Sequence, residues 1–350
     1  ESFYRTLLLS NYLKNEFKDS FINGAMMDFY NKYFFFENLA YKEDFYVRPY
    51  YKDKFVNVLD NILITNHIPD SVFNNPAQKV HSAWWYHCFS MDTVKEKGLP
   101  LPMFIRGDDI EWSLRNFGKH HISMNGISVW HIPFVWRESK TVRYYYSTRN
   151  YFMKDALYMD GFKENYQKYL FKDFKYLFKT YDYVSLDLFL YALDDILKGS
   201  SAFIENPSEL LQKLSQISKV EYHNTEDLYE MWNAQGYKRK VSFGRKLLYS
   251  LTNRGLYCPK IFMRSRCIAL EWGSLTDNFI MVKEVKVYNT NTNKYEVRRF
   301  DRTKLKNYKK AFHAKLKAIE QNYDKLRNDY IESHKEFATI DFWEKYLELK

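Results

Sequence analysis

The stretch Ile105-Arg106-Gly107-Asp108-Asp109-Ile110-Glu111-Trp112-Ser113-Leu114-Arg115 sets three carboxylates beside an aromatic ring and an arginine. Adjacent carboxylates repel, and burying them is costly unless a cation, a metal or a sugar hydroxyl engages them. The segment therefore predicts a site. Upstream, Gly98-Leu99-Pro100-Leu101-Pro102 reads as a turn feeding an extended run from Met103 to Arg106. Downstream, Ile110 to Phe117 has helical spacing. The acids fall at a strand-to-helix junction, where Asp108 or Asp109 is placed to act as N-cap. Capping accounts for one aspartate but hardly for both together with Glu111.

Further out, Phe21-Ile22-Asn23-Gly24-Ala25-Met26-Met27 reads as a buried strand with a close-approach glycine. Asn61 to Thr65 reads as a second strand, and Ile122 to Trp130 as a third that delivers His131 into the loop Ile132-Pro133-Phe134. Residues 3–17 and 141–180 have helical spacing, with two more helices at 185–198 and 207–220. Alternation from Asn278 to Tyr288, a turn at Asn289 to Asn293 and a strand from Lys294 to Phe300 predict a β-hairpin. A lysine-rich amphipathic helix follows from Arg302 to Arg327, with Leu305, Tyr308, Phe312, Leu316 and Ile319 on one stripe.

Hydrophobic residues make up 46% of the 350, enough for real cores, and no internal repeat or low-complexity tract interrupts them. The charge of +10, from 53 Lys+Arg against 43 Asp+Glu, suits anionic partners. No compact run of Lys/Arg marks a nucleic-acid arm, so nucleic acid is not an expected partner. Aromatics reach 19%, which serves core and oligomer packing or stacking against the C–H faces of sugars, so a homo-oligomer is among the expectations. Cys88, Cys258 and Cys267 are odd in number and lack metal-ligand spacing, predicting structural thiols in a reducing, cytoplasmic compartment. No apolar run approaches the roughly 18 residues that span a bilayer. Lys304, Lys306, Lys309, Lys310, Lys315 and Lys317 on the last helix read first as a solvated face, with peripheral contact to anionic lipid at the inner face of the cell membrane as the alternative. The chain opens at Glu1 inside a helical pattern, which predicts a piece of a longer protein.

Moving a sugar from a nucleotide donor to a hydroxyl needs neutralisation of the diphosphate, a base near the hydroxyl and surfaces that orient both sugars. Asp108, Asp109, Glu111 and His131 offer candidates for the first two. A lone histidine after a tryptophan is by itself more often a packed residue than a ligand.

Five motifs occur in order: Phe21 to Met27; Trp84-Trp85; Gly98 to Trp112; Trp130 to Phe134; and Tyr145-Tyr146-Ser147-Thr148-Arg149-Asn150. In that order the chain resembles family 2 glycosyltransferases, specifically bacterial galactofuranosyltransferases. The resemblance implies an α/β fold, with the C-terminal part of a GT-A nucleotide-sugar domain over 1–140. A helical domain over 141–235 and a region with the hairpin and basic helix over 236–350 would follow. It implies inverting transfer of a sugar, galactofuranose or similar, from a UDP-sugar donor to a glycan or lipid-linked acceptor in surface-polysaccharide synthesis. Asp109 would be the general base, and Asp108, Glu111, Trp84, Trp85 and Phe134 would contact substrate. His131 would be a ligand to Mn2+ or Mg2+. The Asp-x-Asp metal motif of that family would precede the segment resembling Glu1 to Thr6, so the 350 residues alone are expected to bind metal and nucleotide poorly. The alternative class is a non-catalytic carbohydrate-binding or assembly module.

Overall fold

The computed structural model describes residues 1–13, 17–43, 46–66, 79–132, 139–225, 239–271, 276–289 and 292–349. Phe134 lies outside the described residues. Helix α1 (Ser2–Tyr12) leads into β1 (Phe21–Asp28), buried along seven of its eight residues because apolar side chains point to both faces. Strands β2 (Phe34–Glu37), β3 (Leu39–Glu43), β4 (Tyr46–Pro49) and β5 (Lys52–Phe55) follow, then helix α2 (Leu59–Thr65). Next come β6 (Lys79–Ser82), β7 (His87–Cys88), α3 (Met91–Lys97), α4 (Asp108–Arg115) and β8 (His121–His131).

β8 pairs in parallel with β1 from Phe21↔His121 to Asp28↔His131, and the excursion between them carries α3 and α4 as a parallel connection requires. β2 and β7 pair antiparallel to β1, while β3 lies between β4 and β6 in a separate sheet. Gly24 is the expected close-approach residue: a Cβ there would stand 2.8 Å from the Cβ of Tyr86, whose carbonyl accepts the Gly24 N–H at 3.1 Å.

The expected strand at Asn61 to Thr65 is instead the helix α2, exposed at Leu59 and Leu63. A short apolar run fits either structure, and here tertiary contacts decide. The Asn125 side-chain amide donates to the Ile62 carbonyl at 2.7 Å, and the Asn66 side chain accepts the Asn125 N–H at 2.8 Å, closing the helix against β8.

The π-helical turn Val142–Tyr146 runs into α5 (Ser147–Tyr158), followed by α6 (Phe162–Lys179), α7 (Tyr183–Lys198) and α8 (Pro207–Ile217). Asp182 caps α7, and Asn206 with Pro207 caps α8. The remaining chain forms β9 (His223–Asn224), α9 (Phe243–Leu251), β10 (Arg264–Leu270), the expected hairpin β11 (Val282–Asn289) and β12 (Lys294–Arg299), α10 (Arg302–Phe337) and α11 (Ile340–Tyr346). α10 extends ten residues past the expected end, and Leu305, Phe312, Leu316, Ile319, Tyr323, Leu326 and Tyr330 form its buried stripe.

One apolar core draws on α5 to α8, on β10 and β11, and on α10, so it crosses position 236. Buried charges join the same parts. Lys140 donates to Asp182 at 3.1 Å and to Glu296 at 2.8 Å, and Arg298 meets Asp182 at 3.0 Å. Each ion there has opposite charges in reach, without which burial would cost several kcal/mol. Among the described residues the protein is a mixed α/β structure with three sheets.

Replacing Gly24 with alanine is expected to force β1 away from Tyr86. The cost should be about 1–3 kcal/mol, read as a fall in Tm by circular dichroism.

Candidate functional site

Both aspartates stand in the first turn of α4, and the N-cap is neither of them but Gly107, at φ 87°. The loop before it is left-handed at Phe104 (φ 66°) and Arg106 (φ 69°) as well, which side chains rarely adopt. The Asn150 amide nitrogen holds this path by lying 2.9 Å from the carbonyls of Met103 and Ile105 and 2.8 Å from that of Arg106. The expected extended run from Met103 to Arg106 is therefore a bent loop, clamped by an asparagine from α5.

Asp108 and Asp109 are half-buried. Asp109 accepts the Ile110 N–H at 2.8 Å. Burial pushes both carboxyls up to about 6; at Asp108 the charge of Asp109 adds to the rise, while Arg106 opposes it at both. Burial also raises Glu37 on β2, which senses Lys52, Arg106 and Asp109. Glu37 pairs with Met26, so this group lies toward the carboxyl end of β1, the end at which open α/β sheets take ligands. Tyr151 completes the surroundings, with its hydroxyl pushed up to about 12 by burial and the Lys154 ammonium 4.8 Å from its ring centre.

A cleft of about 490 Å³ opens beside Arg106, lined also by Lys42, Arg143, Thr148, Tyr151 and Lys154. Lys42 and Lys154 both reach Oδ1 of Asp155 at 2.5 Å. Burial, then the charge of Lys154, pushes the Lys42 amine down to about 7.

Glu111 lies apart from this group. It is fully buried, and its oxygens take Arg115 at 2.8 Å, the Tyr158 hydroxyl at 2.6 Å and His334 at 3.4 Å. Burial alone would raise its carboxyl, but Arg115, His334 and Tyr158 outweigh it and hold it below the usual range. These contacts tie α4 to α5 and α10. Trp85 donates its indole N–H to the Gly24 carbonyl at 2.8 Å, and Trp84 is 36% exposed.

His131 ends β8 opposite Asp28, with Nδ1 2.5 Å from the Ile132 carbonyl. Oδ1 of Asp28 already accepts the N–H groups of Tyr30 and Asn31 at 2.7 and 2.8 Å. Among the described residues no three His, Cys, Asp or Glu side chains converge as a metal set. His131 thus supplies one donor, and the described residues do not complete a site around it.

The sequence missed Glu37, Asn150, Tyr151 and Lys154 as parts of the site. Asn150 stood inside a quoted motif, but nothing local shows that its amide would cross to a loop more than forty positions earlier. Among curated proteins, the chain is 31% identical over 85 residues to the galactofuranosyltransferase GlfT2 of Mycolicibacterium smegmatis, covering 23% of this chain and 13% of that protein. It is 28% identical over 86 residues to galactofuranosyltransferase GlfT2 of Mycobacterium tuberculosis, with the same coverage. The matched stretch thus spans about an eighth of the length of these relatives. No family model matches the chain. The partial likeness supports a glycosyltransferase-like protein.

Two outcomes are expected. Asn150→Ala removes the side-chain donor shared by the Met103, Ile105 and Arg106 carbonyls and should cost about 1–3 kcal/mol in urea unfolding. The raised carboxyls mean that the folded chain holds their protons more tightly than the unfolded chain, whose aspartates titrate near 3.8. Their ionisation therefore removes stability as pH rises through about 6, and the loss is recovered as pH falls toward 3.8. Asp108→Asn should raise Tm at pH 7.5 and lose most of that advantage by pH 4.5, as followed by scanning calorimetry.

Proposed function

We propose that this chain carries the acceptor side of an inverting glycosyltransferase of the family 2, GT-A type, using a UDP-sugar, with galactofuranose as the leading donor sugar. The observation that carries the reading is the half-buried Asp108-Asp109 pair at the head of α4, beside Arg106 and Glu37, in a chain partly similar to galactofuranosyltransferases. In the proposed step the acceptor hydroxyl oxygen attacks the anomeric carbon. The hydroxyl proton passes to Asp109, and the bond from that carbon to the diphosphate oxygen breaks, releasing UDP with inversion. A carboxylate that titrates near 6 is mostly ionised at neutral pH yet more basic than an ordinary aspartate, which suits a general base.

Asp108 is assigned to hold the acceptor sugar, with Trp84 as a ring against its C–H face. Trp85 acts through the backbone of β1, and Glu111 through the placement of α4. A divalent cation would neutralise the diphosphate, with His131 as the one ligand assigned to it. The acceptor is a glycan or a lipid-linked glycan.

The test uses the protein at its native length with a panel of UDP-sugars and oligosaccharide acceptors, following UDP release and product mass. Asp109→Asn is expected to keep its circular dichroism spectrum and lose about 10²- to 10⁴-fold in turnover. Undiminished turnover would sink the base assignment, and glycan binding without transfer from any donor would favour the carbohydrate-binding module.

A further inference from the structure

The cleft beside Arg106 holds a buried positive charge in surplus. Lys42 on β3 and Lys154 on α5 both reach one oxygen, Oδ1 of Asp155, at 2.5 Å. The three side chains are exposed by only 3%, 1% and 6%. Among the described residues Asp155 is the one carboxylate in an ion pair with either ammonium. Two ammoniums on one carboxylate leave a cation unmatched where an unpaired ion is strongly disfavoured. The neighbours do not supply the missing anion. Burial, with Lys154 and Lys42 adding to it, pushes the His81 imidazole down to about 4, and burial pushes the Tyr151 hydroxyl up to about 12, so both stay neutral at pH 7.

The rest of the lining carries the same bias. Arg106, Arg143 and Lys172 border the cleft, and Asp173 is the further acid there. Asp173 senses Lys172 and Arg143, which leaves the Lys42 and Lys154 pair to Asp155. Tyr151 and Tyr169 offer half-buried rings, and Ser147 and Thr148 offer hydroxyls. The volume of about 490 Å³ falls in the range of small-ligand sites and has room for a sugar unit. Rings suit the C–H faces of a sugar, hydroxyls suit its own hydroxyls, and buried ammoniums suit a negative group. His131, the residue assigned to the cation of the donor diphosphate, ends β8 and is not among the residues that line the cleft.

We infer that this cleft seats an acidic sugar unit of the acceptor, with its carboxylate or phosphate on the ammoniums of Lys42 and Lys154 and its ring against Tyr151. That the unit belongs to an acceptor rests on the sugar-transfer reading: Arg106 borders the cleft and is sensed by Asp108 and Asp109, so a unit seated there adjoins the proposed base. The ligand's negative charge completes the pairing that Asp155 alone leaves unfinished. It also has a protonic signature. Burial, then the charge of Lys154, pushes the Lys42 amine down to about 7, so at pH 8 the free cleft sheds its surplus as a proton. An anion bound there restores the ammonium, and the proton comes back to Lys42 from solvent.

Isothermal calorimetry of the native-length protein with glucuronate, glucose 6-phosphate and glucose tests the site. At least one acid should bind about tenfold or more tightly than glucose, and the tighter of the two tells carboxylate from phosphate. At pH 8, in two buffers of different ionisation enthalpy, its binding should take up most of a proton. Lys42→Met removes the surplus and leaves Lys154 balanced by Asp155, so it should keep or raise Tm while losing at least about tenfold in affinity for the acid and nothing for glucose. Lys154→Met, which leaves Lys42 with Asp155, has the same expected outcome. Glucose bound as well as both acids, binding without proton uptake, or variants that hold the acid like the parent would overturn the inference. So would a large fall in Tm in both variants, which would make the lysines structural, or displacement of the acid by UDP, which would make the cleft the diphosphate site. Transfer is a separate arm: an acceptor oligosaccharide bearing the acid should have a lower KM than its neutral counterpart. Absence of transfer to either would sink the sugar-transfer reading, while calorimetry decides the cleft by itself.

Discussion

The side-chain amide of Asn150 is the contact on which the candidate site depends. Left-handed backbone at Phe104 and Arg106 is unfavourable by itself, and it turns carbonyls inward where water cannot reach all of them. One asparagine on α5 gathers three of those carbonyls and makes the bent loop the stable path. The direction in which α4 starts, and so the position of Asp108 and Asp109, follows from that clamp. The acids are thus placed by the helical part of the molecule as much as by the sheet from which the loop departs.

The three neighbouring acids are sorted by their surroundings into two electrostatic regimes. Glu111 has a guanidinium, a phenol and an imidazole around it and is held ionised, which lets a fully buried charge serve as a joint among three helices. Asp108 and Asp109 have no such cage. They stand half-buried near Arg106, which lines the cleft, and burial with their mutual repulsion pushes them up to about 6. Within a single turn of helix a caged acid and an uncaged pair emerge in different surroundings, because successive positions on a helix point in different directions.

Much of this was legible in the sequence. The buried run of β1 with Gly24, the helix after Asp109, the hairpin and the amphipathic α10 all have local signatures in burial, periodicity or turn residues. α2 was misread because Ile62-Leu63-Ile64 carries no decisive period, and the side chains that settle it, Asn66 and Asn125, act across the fold. The site was half legible. A pair of aspartates announces itself through charge, whereas Asn150, Glu37 and Lys154 belong to the site only by tertiary proximity. Glu111 looked like a member of the cluster because adjacency in sequence says nothing about the face on which a side chain emerges.

α10 can be considered as a spacer. It is 36 residues long and carries Lys306 and Lys309 near one end, against Tyr257 and Asn253, and His334 near the other, against Glu111. At about 1.5 Å of rise per residue those ends are roughly 40 Å apart. Neither proline nor glycine interrupts the helix between those ends, so a tilt of α10 that moves one end moves the other. α10 therefore sets the spacing between the turn that follows α9 and the buried joint at Glu111.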